Sequence, residues 1–190
     1  MSKAFKKISN RFRAKKGKKA ISSNRNRKTR KEKIEKNQEK ALSDTDLLQI
    51  LKGAKNFLGV FTSDELERIR ILDFPAFLIS NLDIRNSPGS HWICLRIDRH
   101  SIEIFDSLGF DRNLWGKFPV GLSNFFIRYR LSHKFFISPV LQPTYTQDCG
   151  FYCAFFVLYR SVYSFNKCVS TFSRLLTRNH DILINKLKSY

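Results

Sequence analysis

The sequence predicts an α+β domain, a small antiparallel or mixed sheet packed against one central buried helix, carried behind a basic arm. Three observations lead there. Trp92–Ile97 and Ser101–Phe105 are two strand-like runs around Asp98-Arg99, the pattern of a β-hairpin. The segment Cys149–Tyr163 opens Cys-Gly-Phe-Tyr-Cys-Ala-Phe-Phe-Val-Leu-Tyr and is apolar nearly all round, as a core helix is. Charge divides the chain: of 190 residues 35 are Lys or Arg and 16 Asp or Glu, a net of +19, and residues 1–40 carry +14 of it. The rest holds 16 of the 18 Phe, both Trp and all 4 Cys, enough to bury a core.

The elements follow in order. Residues 1–42 form the arm, too poor in apolar side chains to repay their ordering entropy, so it is expected to be disordered when free. Lys28–Lys40 has helix formers and could fold against a partner. The globular body spans 43–190. Ser43 or Asp44 caps a short helix carrying Leu47, Leu48 and Leu51, stopped by Gly53. Phe57–Phe61 reads as a strand, Ser63-Asp64-Glu65 as a helical turn, Phe77–Ile79 as another strand and Asn86-Ser87-Pro88-Gly89 as a loop. Pairing Ile97 with His100 sets Ile93 opposite Ile104 and Leu95 opposite Ile102, all on one core face. That register places His91 opposite Asp106 at the open end; a register two residues different keeps the face and makes the pair diagonal. Leu122–Leu131 reads as a helix, Phe135–Ile137 as a strand and Gln142–Asp148 as a loop. Helical segments near Val169–Leu176 and Asn179–Lys188 close the chain.

Some classes drop out. The longest apolar runs fall short of a membrane span, so no transmembrane protein is expected. The charged N-terminus has no apolar run behind it, so it is not a secretory signal. Cys94, Cys149, Cys153 and Cys168 are then expected as reduced thiols. Cys149 and Cys153 form a lone C-x3-C without nearby histidines, so no zinc and no small-molecule cofactor are expected.

One constellation carries chemistry. Cys149 stands where a polar loop meets a buried helix, and free N–H groups at a helix start stabilise a thiolate. His91 lies at a strand start, at the same end of the hairpin as Asp106. A carboxylate on one imidazole nitrogen fixes the tautomer and leaves the other to take a thiol proton. Gln142, seven residues before Cys149, can place its amide beside the Cys149 N–H to donate to an oxyanion. Singly, each has an ordinary structural reading; together they point to nucleophilic catalysis.

Gly89-Ser90-His91-Trp92, Phe105-Asp106-Ser107-Leu108-Gly109-Phe110 and Gln142-Pro143 with Asp148-Cys149-Gly150-Phe151 resemble the adenovirus-type cysteine endoprotease family, adenain, related to the SUMO-specific and other ubiquitin-like-protein proteases. Asn56–Phe61 and Thr177–His180 extend the resemblance over most of 44–188. It implies a papain-like superfamily arrangement with the different order His, Asp, Cys. Cys149 is then the nucleophile, His91 the base and acid, Asp106 its orienter, Gln142 the oxyanion donor, and Trp92 a wall for the imidazole. It further implies a monomeric endopeptidase that cleaves after glycine in viral precursor proteins during virion maturation, in the virion and host nucleus. The alternatives are an isopeptidase acting on ubiquitin-like modifiers and a non-catalytic nucleic-acid-packaging protein. The acid here is Asp where the mammalian adenovirus enzyme usually has Glu. Asp148 sets a charge beside Cys149 that opposes thiolate formation. The family's activating peptide bonds to a cysteine upstream of the nucleophile's loop. Residues 132–141 contain none, so activation by such a peptide is not expected in that form. Cys153 reads as a packed small side chain.

The arm carries Lys15, Lys16, Lys18, Lys19, Arg25, Arg27, Lys28, Arg30 and Lys31, the footprint of nucleic-acid binding. Without aromatic spacing for base stacking, it is expected to contact DNA phosphates non-specifically and with strong salt dependence. The resemblance adds activation by DNA.

Overall fold

The computed structural model describes residues 40–110 and 118–190, together with Lys28, Thr29 and Glu32. Ser43 caps the first helix, α1 (Asp44–Ile50). Its hydroxyl accepts from the Asp46 N–H while the Asp46 carboxylate accepts from the Ser43 N–H, two otherwise orphaned donors satisfied at once. Leu47, Ile50 and Leu51 share the buried face; Leu48, turned away from it, is exposed.

Five strands form one sheet in chain order: β1 (Phe57–Phe61), β2 (Ala76–Asn81), β3 (Trp92–Ile97), β4 (Ser101–Phe105) and β5 (Lys134–Ile137). The inner pairs are antiparallel and the outer pairs, β1/β2 and β4/β5, are parallel. Parallel neighbours need crossovers. Residues 62–75, with a 3-10 turn at Leu66–Arg68, supply one, and the helix α2 (Val120–Tyr129) lies in the other. The fold is thus α+β with a mixed sheet.

The hairpin register differs by two residues from the pairing that matches Ile97 with His100. Ile97 pairs with Ile102 and Leu95 with Ile104, the alternative that keeps the same face. A two-residue Asp98-Arg99 turn would need left-handed backbone, and the described residues with positive φ lie elsewhere. The chain instead closes with the Asp98 N–H donating to the Ser101 carbonyl at 2.8 Å.

The sheet has two buried faces where periodicity indicated one. Leu78, Ile93, Leu95, Ile102 and Ile104 pack against Leu122, Phe125 and Phe126 of α2. Phe77, Ile79, Cys94 and Phe105 pack against the central helix α3 (Cys149–Arg160), with Phe105 stacked on Phe156 at 4.3 Å. A polar pair conceals this second face in the sequence. Glu103 is 4% exposed and accepts twice from Arg160 of α3, at 2.8 Å each, and once from Arg96 at 3.2 Å.

Beyond α3, α4 (Phe165–Val169) is capped by the Ser164 hydroxyl and precedes α5 (Asn179–Ser189). The helix expected near Val169–Leu176 ends at Val169. There Ser170 and Thr171 turn their hydroxyls back on the Lys167 carbonyl, a local bond that competes with helix continuation. No helix of the described residues is long and apolar enough to cross a membrane.

Candidate active site

His91 lies one residue before β3 and Asp106 one residue after β4, so both side chains leave the sheet at the same end. The shifted register makes them diagonal, yet His91 Nε2 and Asp106 Oδ1 are 2.7 Å apart. Both residues are buried. Ser138 fixes Asp106 through the backbone: its Oγ accepts the Asp106 N–H at 2.9 Å and donates to the Asp106 carbonyl at 2.8 Å. The Leu108 N–H donates to the same Asp106 Oδ1 at 2.9 Å.

Cys149 is the first residue of α3, 8% exposed. It lines the same cleft as His91 and stands close enough to the imidazole to raise its pKa. Since Nε2 is committed to Asp106, Nδ1 is the nitrogen left to take the thiol proton. Burial lowers the His91 pKa, but hydrogen bonds to Asp106 and Cys149 outweigh it and hold the imidazole at about 9. The other thiols are packing residues: burial pushes Cys94 and Cys153 well above the usual thiol value and Cys168 up to about 12.

Asp148 occupies the cap position of α3 without making a capping bond. Its carboxylate turns instead to His180 of α5, with Nδ1 3.1 Å from both oxygens. The N–H groups at the start of α3 are therefore not consumed by that carboxylate. The residue after Cys149 is glycine for a packing reason. A Cβ on Gly150 would lie 2.9 Å from the Leu42 Cβ. Leu42 covers the helix start, and its carbonyl accepts the Trp92 indole N–H at 2.9 Å.

Gln142 is 1% exposed. Its Nε2 donates to the Thr146 carbonyl at 2.8 Å, and its Oε1 accepts from the Ser107 hydroxyl at 2.7 Å. The preceding carbonyl, Leu141 O, accepts from Tyr152 OH at 2.9 Å and Asn179 Nδ2 at 2.8 Å. Gln142, His91, Trp92 and Cys149 all line one cleft of about 800 Å³, whose walls include Asn81, Gly89, Leu108 and Thr144.

Of the four catalytic candidates, His91, Gln142 and Cys149 thus line one cleft, and Asp106 stands behind His91. Of the arm residues, Lys28 is exposed, 3.9 Å from Glu32; Lys15, Lys16, Lys18, Lys19, Arg25, Arg27, Arg30 and Lys31 lie outside the described residues. Sequence reasoning missed Ser107, Ser138, Asn179 and His180. His180 and Asn179 sit in the Thr177–His180 motif, and Ser107 follows Asp106 directly. The bonds that tie them to the site span 32 to 38 residues, beyond any local pattern.

A buried thiol, an imidazole backed by a carboxylate, and an amide at one cleft are the groups that nucleophilic acyl transfer would need. No protein-family model matches the chain, and no curated protein does. Among solved structures it is similar to the SUMO protease Ulp1 with its catalytic cysteine oxidised to a sulfinic acid (20% identity, TM-score 0.41, 78% of this chain and 80% of that one). The sulfenic and sulfonic acid forms of that protease match at 16% and 17% identity, each with TM-score 0.39. The sulfenic form covers 80% of this chain and 79% of that one, the sulfonic form 79% of each. A similarity of this size fixes neither family nor activity.

Proposed function

We propose that the chain is a cysteine endopeptidase that hydrolyses peptide bonds through a thioester on Cys149. The buried contact of His91 Nε2 with Asp106, with the Cys149 thiol beside the same imidazole at the wall of one cleft, carries this reading. His91 takes the thiol proton and the sulfur attacks the carbonyl carbon. Negative charge on the carbonyl oxygen meets the Cys149 N–H and the Gln142 amide. The imidazolium then protonates the leaving amine as the C–N bond breaks. Water, deprotonated by His91, adds to the thioester carbon, and the sulfur leaves with the proton restored.

The motif resemblance to adenain extends the proposal to substrates: cleavage after glycine in viral precursor proteins, in virion and nucleus, with DNA held non-specifically by the arm. Asp as the orienting acid favours a second reading, an isopeptidase acting on ubiquitin-like modifiers. Glycine-containing virion-type peptides tested against C-terminally extended modifiers separate the two. For the chemistry itself, a thiol-directed peptide probe should label Cys149 in the wild type and fail in His91→Ala. Equal labelling of both would leave only a non-catalytic, polyanion-binding protein.

A further inference from the structure

The loop that brings Gln142 to the cleft is tied at one point to the residue that follows Asp106. The Ser107 carbonyl accepts both the Leu141 and the Gln142 N–H, at 2.8 and 2.9 Å. The Ser107 hydroxyl, on a residue 1% exposed, reaches the Gln142 side-chain oxygen at 2.7 Å. The amide's orientation follows from its other end. The Thr146 carbonyl can only accept, so Gln142 Nε2 must face it. Oε1 then faces Ser107, whose hydroxyl must donate.

An amide rotates by half a turn with little change in shape, and that rotation would carry its oxygen, an acceptor, to where Nε2 stands. An oxygen aimed at a developing oxyanion repels it, whereas an N–H there stabilises it. Nε2 has two protons; Thr146 takes one and the second remains to donate.

We propose that Ser107 is a positioning residue for the oxyanion donor: with the Thr146 carbonyl deciding which end of the Gln142 amide carries the N–H, the Ser107 hydroxyl anchors the oxygen end and holds the second N–H toward the reacting carbonyl. This rests on the cysteine-peptidase reading above. It joins the acid and the oxyanion donor through adjacent residues, since Asp106 holds the imidazole and Ser107 holds the amide.

A double-mutant cycle on the full chain tests it. The substrate is a fluorogenic peptide amide with glycine at its cleaved end, and iodoacetamide alkylation of Cys149 is followed alongside. Alkylation forms no oxyanion. Ser107→Ala should lower kcat roughly 10–100-fold, part of the loss from deleting an oxyanion donor, with KM and the alkylation rate within about twofold of wild type. In a Gln142→Ala background, Ser107→Ala should add less than about twofold, because there is no amide left to orient. Ser107→Cys, which keeps a weak donor at similar size, enters the same cycle and replaces Ser107→Ala should that variant not fold. It should fall between wild type and Ser107→Ala, or, when used alone, be non-additive with Gln142→Ala. An unchanged kcat, or a full additional loss in the Gln142→Ala background, would overturn the proposal while leaving the peptidase reading intact. Absence of hydrolysis by the wild type would sink the peptidase reading itself, and this with it.

Discussion

Replacing Asp106 by Asn removes a charge with almost no change in shape, and its effect can be worked out beforehand. In the folded protein burial lowers the His91 pKa and the Asp106 and Cys149 contacts raise it past that, to about 9. Without the carboxylate the burial cost remains and only the Cys149 contact opposes it, so the imidazole pKa falls well below 9. At pH 8 the imidazolium fraction then drops from about nine-tenths, by up to roughly 30-fold for a full return to the ordinary 6.5, before any loss from a wrong tautomer. With the imidazolium protonating the leaving amine as proposed, the alkaline limb of kcat/KM should move down from near 9. The profile of kcat/KM reports the free enzyme, and the His91 Cε1 proton resonance reports the same titration directly. Stability follows with a definite sign. A pKa raised by folding contributes stability that is fully present below the unfolded value, near 6.5, and is lost as pH rises through 9. A difference of about 2.5 pH units corresponds to about 3 kcal/mol, so wild type should lose that advantage between pH 6.5 and 9 and Asp106→Asn should lose markedly less. An alkaline limb still near 9 in Asp106→Asn would refute the assignment of Asp106 as the partner that sets the imidazole.

Four further outcomes are expected. Cys149→Ala and His91→Ala should each abolish nearly all peptide hydrolysis, and Gln142→Ala should lower kcat roughly 10²–10³-fold. Gly150→Ala should destabilise by about 1–3 kcal/mol, because its methyl meets the Leu42 Cβ at 2.9 Å; a denaturant midpoint equal to wild type would show that Leu42 yields freely. Glu103→Gln should cost on the order of 3–5 kcal/mol, since it leaves Arg96 and Arg160 without their shared carboxylate. Yet the protein that remains folded should keep its kcat, as Arg160 lies eleven residues, roughly 16 Å, along α3 from Cys149. Deleting residues 1–39 should abolish any salt-sensitive stimulation of hydrolysis by DNA; unchanged stimulation would move DNA contact to the body.

Much of the framework was legible because it depends on near neighbours. Ser43 with Asp46 marks a helix start within four residues, and alternation over Trp92–Ile97 and Ser101–Phe105 shows one core face without knowledge of the rest. Register was less legible, since it depends on the backbone conformation of Asp98–Ser101 and not on side-chain polarity. The second buried face was hidden because Arg96 and Glu103 look like solvent residues until Arg160, 57 residues after Glu103, joins Arg96 on the Glu103 carboxylate. Residues of the site could be picked out as chemical types at strand and helix ends. Their supporting bonds could not: Ser107 to Gln142, Ser138 to Asp106 and His180 to Asp148 join loops brought together only by the finished fold. Asp148 illustrates the difference. Its sequence position suggests a charge working against the thiolate, whereas its structure shows that charge shared with an imidazole.

Leu42 lies two residues into the continuously described chain, where it roofs Gly150 and anchors the Trp92 indole. Shortening the polypeptide as far as Lys40 leaves that roof in place. Cutting three residues further strips one side of the doorway to Cys149, so a small difference in where the chain is trimmed separates an intact mouth from a breached one.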